Sequence, residues 1–279
     1  MDGIVSEPLA AGDEEYVSYT GVAQVLEGNI HHGYWKGLSR SASITEAADA
    51  MTGLLRSRVA ARRPTRILDL GCGVGGPAIG LLAATEATVT GVSITRFEIE
   101  MANAAVREAG LADRVDFHFA DVIDMPFPAG SFDAVHALEF LYQIPDRVAA
   151  VRETGRVLEP GGWFHGTDFF LREPVRAGSR AVFDDFVRVA GVQTITGLDE
   201  YVAELGRGGL EAVDAVDITE DVWPTLHRHV ELLSAARDEL AASMGAAAID
   251  DLIDVTTRVA DTPEIGYLLL SARKSATAS

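Results

Sequence analysis

The segment from Arg66 to Gly76 constrains the fold of this chain more than any other. It reads RILDLGCGVGG, an apolar run that includes an acid, Asp69, and ends in four glycines within six residues. This pattern predicts a strand, a tight turn and the start of a helix. Glycine adopts positive φ, and without a side chain it lets a ligand approach main-chain N–H groups at a helix start. We therefore expect a nucleotide-like ligand at this turn.

Three glycines, Gly71, Gly73 and Gly76, fit the dinucleotide-binding spacing G-x-G-x-x-G, which by itself is a weak indication. A dinucleotide-binding fold also needs an acid at the end of the second strand, ~20 residues on, to hold the ribose. The second predicted strand, residues 87–92, is followed instead by Ser-Ile-Thr at residues 93–95, and Glu98 falls in the following helix. Asp69 has no role in the dinucleotide pattern. An acid beside the loop suits S-adenosylmethionine, which carries a sulfonium and an ammonium group.

Six ordered pieces of the chain, between about residues 16 and 170, match one enzyme class. They are GNIHHGYW at 28–35, ILDLGCGVGGP at 67–77, GVSIT at 91–95, ADVIDMPFP at 120–128, SFDAV at 131–135 and RVLEPGG at 156–162. In these pieces the chain resembles the class I S-adenosylmethionine-dependent methyltransferases, specifically the natural-product branch of tocopherol, sarcosine and sugar-indolocarbazole type. Residues from 171 onward match no motif.

Strand and helix patterns alternate from residue 65, which predicts an α/β fold with a parallel sheet covered on both faces. The predicted strands are residues 66–70, 87–92, 115–120, 132–138, 163–168, 210–218 and 265–272. The resemblance implies a Rossmann-like, seven-stranded, mostly parallel sheet with an antiparallel last strand. It also implies an N-terminal helical arm and a helical cap inserted after the fifth strand.

We divide the chain accordingly. Residues 1–64 form the helical arm that closes the cofactor site, and residues 65–170 form the S-adenosylmethionine-binding core. Residues 171–209 form the helical cap over the acceptor pocket, and residues 210–279 complete the sheet and its helices. A chain of 279 residues is long enough for one large domain with such a cap.

Charge and cysteine content limit the partners. The chain has 42 acidic against 23 basic residues, a formal net charge of -19, which argues against a nucleic-acid substrate because phosphate binding needs clustered Lys and Arg. The single cysteine, Cys72, has no partner for an internal disulfide and fits a reducing cytoplasm. The sequence opens without a basic start and long apolar core, and no run approaches ~20 apolar residues. We expect a cytoplasmic protein without a membrane segment.

The resemblance implies S-adenosyl-L-methionine as cofactor, S-adenosyl-L-homocysteine as its product, and no metal. Gly71 and Gly73 would pass under the methionine moiety, with Asp69 behind the loop. Leu138, at the end of the fourth strand, would line the same pocket, although an apolar residue there also suits the core.

Further along the sheet edge, Ser93 and Ile94 would border the ribose in place of the usual acid. Glu98 stands where relatives often have glutamine. Asp121, after the third strand, matches the position that accepts from the adenine amino group, and Val122 would supply a main-chain contact. An aspartate after a strand is otherwise a common turn former.

The N-terminal arm is rich in aromatic residues. In relatives such an arm lies over the cofactor, so Tyr16 and Trp35 are assigned to the cofactor site, where aromatic faces attract a sulfonium and exclude water. Trp35 could equally anchor the segment to the core. His31 and His32 are adjacent and would point in different directions, which argues against a shared metal. Exchange of the arm between subunits would give a homo-oligomer.

Methyl transfer depends mainly on positioning and exclusion of water, and a base is needed only when the acceptor must lose a proton. Sugar-methylating relatives carry two histidines after the fourth strand, where this chain has Tyr142 and Gln143. Asp168, at the end of the fifth strand, is then the best remaining base or acceptor anchor, unless it is a turn-forming acid facing solvent. Phe183 and Phe186 in the cap fit a pocket wall or an ordinary amphipathic helix.

The sequence therefore predicts a methyltransferase of secondary metabolism, such as antibiotic biosynthesis. Its acceptor is a bulky, apolar small molecule: a polyketide, terpenoid or alkaloid intermediate. Without the histidine pair, a carbon or a weakly acidic hydroxyl is the favoured acceptor atom. One alternative is a cyclase of the same fold that retains S-adenosylmethionine without transferring its methyl group, and another is a non-catalytic partner subunit. A nicotinamide-dependent oxidoreductase is disfavoured because the ribose acid is missing.

Overall fold

A computed structural model of the chain describes residues 21–27, 31–39 and 41–276. Within these residues, seven strands form one sheet in the order β3-β2-β1-β4-β5-β7-β6. The strands are β1 (Arg66–Leu70), β2 (Thr88–Ser93), β3 (Val115–Phe119), β4 (Phe132–Leu138), β5 (Leu158–Leu171), β6 (Leu210–Asp217) and β7 (Ile265–Lys274). Strands β1 to β5 are parallel, and β7 is antiparallel to both β5 and β6. The predicted seven-stranded sheet with an antiparallel last strand is confirmed.

Besides a helical segment at residues 21–25, ten α-helices accompany the strands within the described ranges. They are α1 (Ile44–Ala60), α2 (Gly76–Leu81), α3 (Arg96–Ala109), α4 (Arg147–Val157), α5 (Arg180–Val189), α6 (Leu198–Arg207), α7 (Thr219–Val222), α8 (Pro224–Ala235), α9 (Arg237–Met244) and α10 (Ala246–Ala260). Local chemistry explains their starts: Ser43 and Glu46 form a capping box at α1, and Asp146 accepts from the Ala149 N–H at α4.

The sheet is buried on both faces because successive side chains of a strand point to opposite sides. On β1, Ile67 belongs to a cluster with Val59 of α1 and Val106 of α3. The next residue, Leu68, belongs to a different cluster, which includes Val151 of α4. This double burial explains why β1 is a nearly continuous apolar run.

Strand β5 is longer than the predicted 163–168, since it begins at Leu158 and ends at Leu171. It begins early because Leu158 pairs with Phe132 across an irregularity before Trp163 pairs with Ala134. It ends late because β7 pairs with it as far as Leu171. Both extensions depend on pairing with a neighbouring strand, so no pattern in the local sequence predicts them.

The predicted cap, 171–209, contains two helices that pack against different parts of the fold. Tyr201 and Leu205 of α6 pack in the same cluster as Val151 of α4 and Leu210 of β6. Phe186 of α5 packs in a second cluster with Val255 of α10. The bounds of the cap stay a prediction.

The described N-terminal residues 31–39 are fixed to three parts of the fold. The Tyr34 N–H donates to the Ala47 carbonyl of α1, and the Trp35 N–H donates to the Asp221 carbonyl of α7. The Gly33 N–H donates to Thr225 Oγ1 of α8. These contacts hold the segment over the carboxyl end of β4.

Candidate active site

The carboxyl ends of β1, β2, β3 and β4 meet around the glycine-rich loop. Gly71 and Gly73 have φ of +67° and +51°, which only glycine adopts readily. A Cβ on Gly71 would lie 2.1 Å from Cδ2 of Phe140, whereas a Cβ on Gly73 would meet nothing within 4 Å. Gly71 is therefore required by the fold itself, and Gly73 leaves open space over the main chain of the loop.

Asp69 lies buried beneath this loop. Its Oδ1 is 2.7 Å from Nδ1 of His136 on the neighbouring strand β4, and both side chains are almost fully buried. Its Oδ2 has no hydrogen-bond partner in the described part of the chain. Because a buried acceptor without a partner is costly, this oxygen is suited to a cationic or N–H-bearing ligand.

At the end of β2, two predicted ribose residues lie together. The Ser93 hydroxyl donates to Glu98 Oε2 at 2.6 Å, so Glu98 of helix α3 places a carboxylate at the end of the strand. Ser93 is buried, and Ile94 is half exposed. The sequence lacks an acid at the strand end, but the fold supplies one from the first turn of α3.

After β3, Asp121 is exposed and its Oδ1 accepts from the Ile123 N–H at 3.1 Å, which closes a turn. Val122 is buried in the core. The turn-forming role of Asp121 is thus present in the structure, and the turn holds its carboxylate at the edge where the adenine contact is expected. Leu138 lies partly buried at the end of β4.

Trp35 is an anchor. Its Nε1 donates to Thr225 Oγ1 at 2.7 Å, and its ring packs against the cluster that contains Ile44 and Leu233. These contacts favour the anchoring interpretation over the cofactor contact assigned from the resemblance. Tyr16 lies outside the described residues.

Asp168 lies in the core, and both of its carboxylate oxygens accept hydrogen bonds. It is 1% exposed, its Oδ1 accepts from the Tyr142 and Phe169 N–H groups, and its Oδ2 accepts from the Tyr201 hydroxyl at 2.7 Å. Burial raises the pKa of Asp168 to about 7, against the lowering effect of these hydrogen bonds and of Arg147. The side chain does not face solvent, which corrects the interpretation of Asp168 as a solvent-facing turn former, and its hydrogen bonds secure the turn after β4. Its assignment as a base or acceptor anchor stays a prediction.

Tyr142 and Gln143 lie in that turn, a 3-10 segment at Leu141–Gln143. Gln143 is exposed, and its Nε2 donates to the Tyr142 hydroxyl at 2.9 Å. Tyr142 is buried with its ring edge-on to Phe169, at 5.0 Å between centroids. The phenylalanine also contacts Phe186 of α5 and Tyr267 of β7, which completes the aromatic cluster of Tyr142, Phe169, Phe186 and Tyr267.

A buried acid that the sequence analysis did not select follows β4 directly. Glu139 has φ of +52°, and its Oε1 accepts from the His32 N–H at 2.5 Å and from the Tyr267 hydroxyl at 2.6 Å. Its Oε2 lies 3.2 Å from His32 Nδ1. Burial alone would raise the pKa of Glu139, but His32 and the Tyr267 hydroxyl lower it to about 2. Glu139 is therefore a buried carboxylate that holds the imidazole of His32.

The His32 ring lies between aromatic groups from three elements. Its centroid is 5.2 Å from that of Phe169, 5.6 Å from that of Tyr267 and 6.0 Å from that of His229 on α8. His32 Nε2 is buried, and the described residues offer it no hydrogen-bond partner. Burial lowers the pKa of the neighbouring His229 to about 3, so that this second imidazole stays neutral.

Local signals for Glu139 and His32 were present but were not decisive. A glutamate in the apolar run Ala-Leu-Glu-Phe-Leu, directly after a buried strand, is an unusual residue for that place. His32 lies in the GNIHHGYW piece and was considered only as a metal ligand. Among the described residues no cluster of three or more His, Cys, Asp or Glu has metal-binding geometry. In the same residues, no helix combines the length and apolarity that a membrane span requires.

The loop fits the methionine end of S-adenosylmethionine. Gly73 leaves space for close approach to the main chain, and the unpartnered Oδ2 of Asp69 is an acceptor beneath it. The Ser93 and Glu98 pair offers hydroxyl and carboxylate groups at the adjacent strand end. The cationic and the hydroxyl-bearing parts of one ligand would thus each meet a suitable group.

Comparison with known proteins agrees with this geometry. Residues 68–165 match the family described as "Methyltransferase domain". The chain is 38% identical over 247 residues to 27-O-demethylrifamycin SV methyltransferase of Amycolatopsis mediterranei, covering 88% of this chain and 90% of that protein. It is 34% identical over 246 residues to methyltransferase GfsG of Streptomyces halstedii, covering 88% and 87%.

Solved structures share the fold over nearly the whole chain. The cyclase SpnF has a TM-score of 0.80 and 29% identity, covering 94% of this chain and 95% of that chain. A geranyl diphosphate C-methyltransferase from Streptomyces coelicolor, solved with S-adenosyl-L-homocysteine, has a TM-score of 0.69 at 17% identity, covering 92% and 98%. The sequence motifs, the loop geometry and these similarities agree, and the chain belongs to the class I S-adenosylmethionine-dependent methyltransferases, in their natural-product branch.

Proposed function

We propose that this protein methylates a hydroxyl oxygen of a bulky, mostly apolar secondary metabolite such as a polyketide. The observation that carries the proposal is the position of the aromatic cluster beside the glycine-rich loop. Phe140, which covers Gly71, is two residues before Tyr142 of that cluster. An acceptor that lies on the cluster would thus be next to the loop that we assign to the cofactor.

The choice of oxygen rests on the relatives. The protein at 38% identity is named for the 27-O position of a rifamycin, and an Aspergillus sclerotiorum protein at 29% identity is named an O-methyltransferase. The sequence analysis favoured carbon or a weakly acidic hydroxyl because no base was evident. A buried imidazole beside Glu139 at the end of β4 supports a hydroxyl acceptor.

When bound, S-adenosylmethionine supplies an electrophilic methyl group on a sulfonium. In this proposal Gly71, Gly73 and Asp69 hold its methionine part, and Ser93 and Glu98 hold its ribose. The protein contributes orientation of the acceptor and exclusion of water, which supply most of the rate in a reaction that needs in-line approach.

At the other end of the cofactor, we assign Ile94 to the ribose border and Asp121 and Val122 to the adenine. Leu138 is assigned to the pocket wall. A cytoplasmic location, a role in antibiotic biosynthesis and a homo-oligomer formed through the N-terminal arm belong to the same proposal.

The cofactor assignment is tested by calorimetric titration with S-adenosylmethionine, S-adenosyl-L-homocysteine and NAD. We expect both sulfur nucleotides to bind and NAD not to bind. Glu98→Ala should weaken the binding of S-adenosyl-L-homocysteine by roughly 10-fold, which is the effect of losing one charge-assisted hydrogen bond. Glu100→Ala, on the exposed side of the same helix, is the matched control and should change nothing. Equal effects of the two variants would contradict the assignment of Glu98.

The acceptor class is tested by label transfer from methyl-labelled S-adenosylmethionine to hydroxylated polyketides, with 27-O-demethylrifamycin SV as the first probe. Mass spectrometry then locates the added methyl group. Label on a hydroxyl oxygen supports the proposal. Label found on carbon or nitrogen, with the hydroxyl acceptors untouched, would contradict it.

A second candidate function is cyclisation with retained S-adenosylmethionine, which the similarity to SpnF favours. The label-transfer experiment separates the two functions. A cyclase would convert its substrate to an isomer of unchanged mass and leave the label on the cofactor. We prefer methyl transfer because the relatives at 38% and 34% identity are both named methyltransferases.

A further inference from the structure

We propose that His32 is the general base that removes the proton from the acceptor hydroxyl, and that Glu139 and Tyr267 are positioning residues that fix its imidazole. The inference rests on the proposed function, because only a hydroxyl acceptor must lose a proton. It replaces Asp168, which the sequence analysis selected for the same task.

The contacts with Glu139 determine which ring nitrogen of His32 carries the proton. Glu139 is an ionised carboxylate, so it accepts hydrogen bonds only, and it receives both the His32 N–H and His32 Nδ1. Nδ1 must therefore carry a proton, which leaves Nε2 of the neutral ring as an acceptor. A carboxylate fixes the tautomer of a catalytic histidine in the same way in Ser-His-Asp triads. The Tyr267 hydroxyl, 2.6 Å from Glu139 Oε1, holds the carboxylate in turn.

His32 Nε2 is the atom that would accept the proton. This atom is buried and finds no hydrogen-bond partner in the portion of the chain that the structure describes. The titratable groups that face the ring are Glu139, Tyr267 and His229, with His31 adjacent in the chain. Glu139 and Tyr267 are bound to each other, and His229 stays neutral through burial. An acceptor hydroxyl would meet an unoccupied basic nitrogen.

His32 and Glu139 lie close to both the glycine-rich loop and the aromatic cluster. Glu139 lies between Leu138 and Phe140, and the Phe140 ring packs over Gly71 of the cofactor loop. His32 itself contacts Phe169, the centre of the aromatic cluster assigned to the acceptor. The imidazole thus lies where the cofactor and acceptor regions meet. Asp168 differs from His32 because both of its oxygens already accept hydrogen bonds from described residues.

The chemistry balances without any further reactant. The acceptor oxygen forms a bond to the methyl carbon as the sulfur–methyl bond breaks, and that electron pair stays on sulfur. The O–H bond breaks, and its proton forms an N–H bond with His32 Nε2. The resulting imidazolium is stabilised by Glu139 until the proton passes to water when the product leaves. General base catalysis of this kind contributes typically 10²–10⁴-fold.

The tautomer is measured first, on the wild-type protein with S-adenosyl-L-homocysteine and ¹⁵N-labelled histidine. We expect NMR to show His32 protonated at Nδ1 and unprotonated at Nε2. In Glu139→Gln the amide N–H should donate to Nδ1 and move the proton to Nε2. A wild-type His32 with its proton on Nε2 would overturn the inference whatever the acceptor is.

The rate is measured next, with the hydroxyl acceptor that the wild-type protein labels. His32→Gln should lower kcat/KM by about 10²–10⁴-fold, while calorimetry shows unchanged binding of S-adenosyl-L-homocysteine. The matched control is His165→Gln, because His165 is also buried with an unpartnered Nε2 but binds Ser271 on β7. It should retain the wild-type rate.

The two proposals fail differently. A wild-type protein that labels a hydroxyl, with His32→Gln labelling it equally fast, would overturn the role of His32 alone. A wild-type protein that labels only carbon would overturn the proposed function and the base together. The calorimetric control separates both results from a variant that has failed to fold.

Discussion

Asp168→Asn tests whether this acid is a structural residue. Asp168 is 1% exposed and its oxygens accept three hydrogen bonds, from two main-chain N–H groups and the Tyr201 hydroxyl. The amide oxygen of asparagine can keep both main-chain bonds, and its N–H can donate to the Tyr201 oxygen. The variant therefore removes an ionisation while it preserves shape and hydrogen bonding.

The magnitude follows from the pKa of Asp168, which burial raises from 3.8 to about 7. Between these values the unfolded chain has lost the proton and the folded chain still holds it. Because the folded state binds more protons, wild-type stability falls as pH rises through this window, by about 4 kcal/mol for about three pH units. The asparagine variant does not titrate here. Its free energy of unfolding should gain about 4 kcal/mol relative to wild type between pH 4 and pH 8.

The assay is urea unfolding of both proteins at several pH values, followed by tryptophan fluorescence. Other titrating groups are shared and cancel in the difference between the two proteins. We also expect the variant to transfer methyl groups at about the wild-type rate, since our proposal gives the role of base to His32. A difference in unfolding free energy that stays constant from pH 4 to pH 8 would refute the reasoning about burial. Loss of turnover in a folded variant would restore Asp168 as a catalytic residue.

Two further predictions concern the loop and the core. Gly71→Ala should abolish S-adenosyl-L-homocysteine binding in calorimetry, because the new Cβ would lie 2.1 Å from Phe140 Cδ2 at a φ of +67°. Gly80→Ala, whose Cβ would meet nothing within 4 Å, should bind normally, and equal losses would contradict this steric argument. Arg147→Met should destabilise the protein by about 3–5 kcal/mol in urea unfolding, because the buried Glu204 carboxylate loses its buried partner and, among the described residues, keeps only Arg207 at 3.9 Å. Adding Glu204→Gln should recover much of this loss, and a double variant as unstable as the single one would argue against the charge effect.

The sequence predicted well wherever a structure is specified by neighbouring residues. Strands β1 and β4 have the predicted bounds, because apolar runs and glycines act within a few residues. The bounds of β5 could not be predicted, since Leu158 and Leu171 are strand residues only through pairing with Phe132 and Ile265.

Site residues divide along the same line. The glycine-rich loop was evident because its requirement for positive φ is written in consecutive residues. The surroundings of Asp168 were not evident from the sequence. An acid after a strand has the same local sequence pattern whether it faces solvent or, as here, is buried against Tyr142 and Tyr201. Its surroundings come from elements distant in the sequence.

The sequence by itself determined the fold class, the cofactor loop and the family, because φ preferences and hydrophobic periodicity are local properties of the chain. Only the tertiary structure decided which side chains meet and which lose contact with water. His32 and Glu139 are 107 residues apart, and their pairing exists only because the N-terminal segment is fixed over the end of β4. Hydrogen bonding and burial, which orient an imidazole and shift the pKa of a carboxyl, depend on that three-dimensional arrangement.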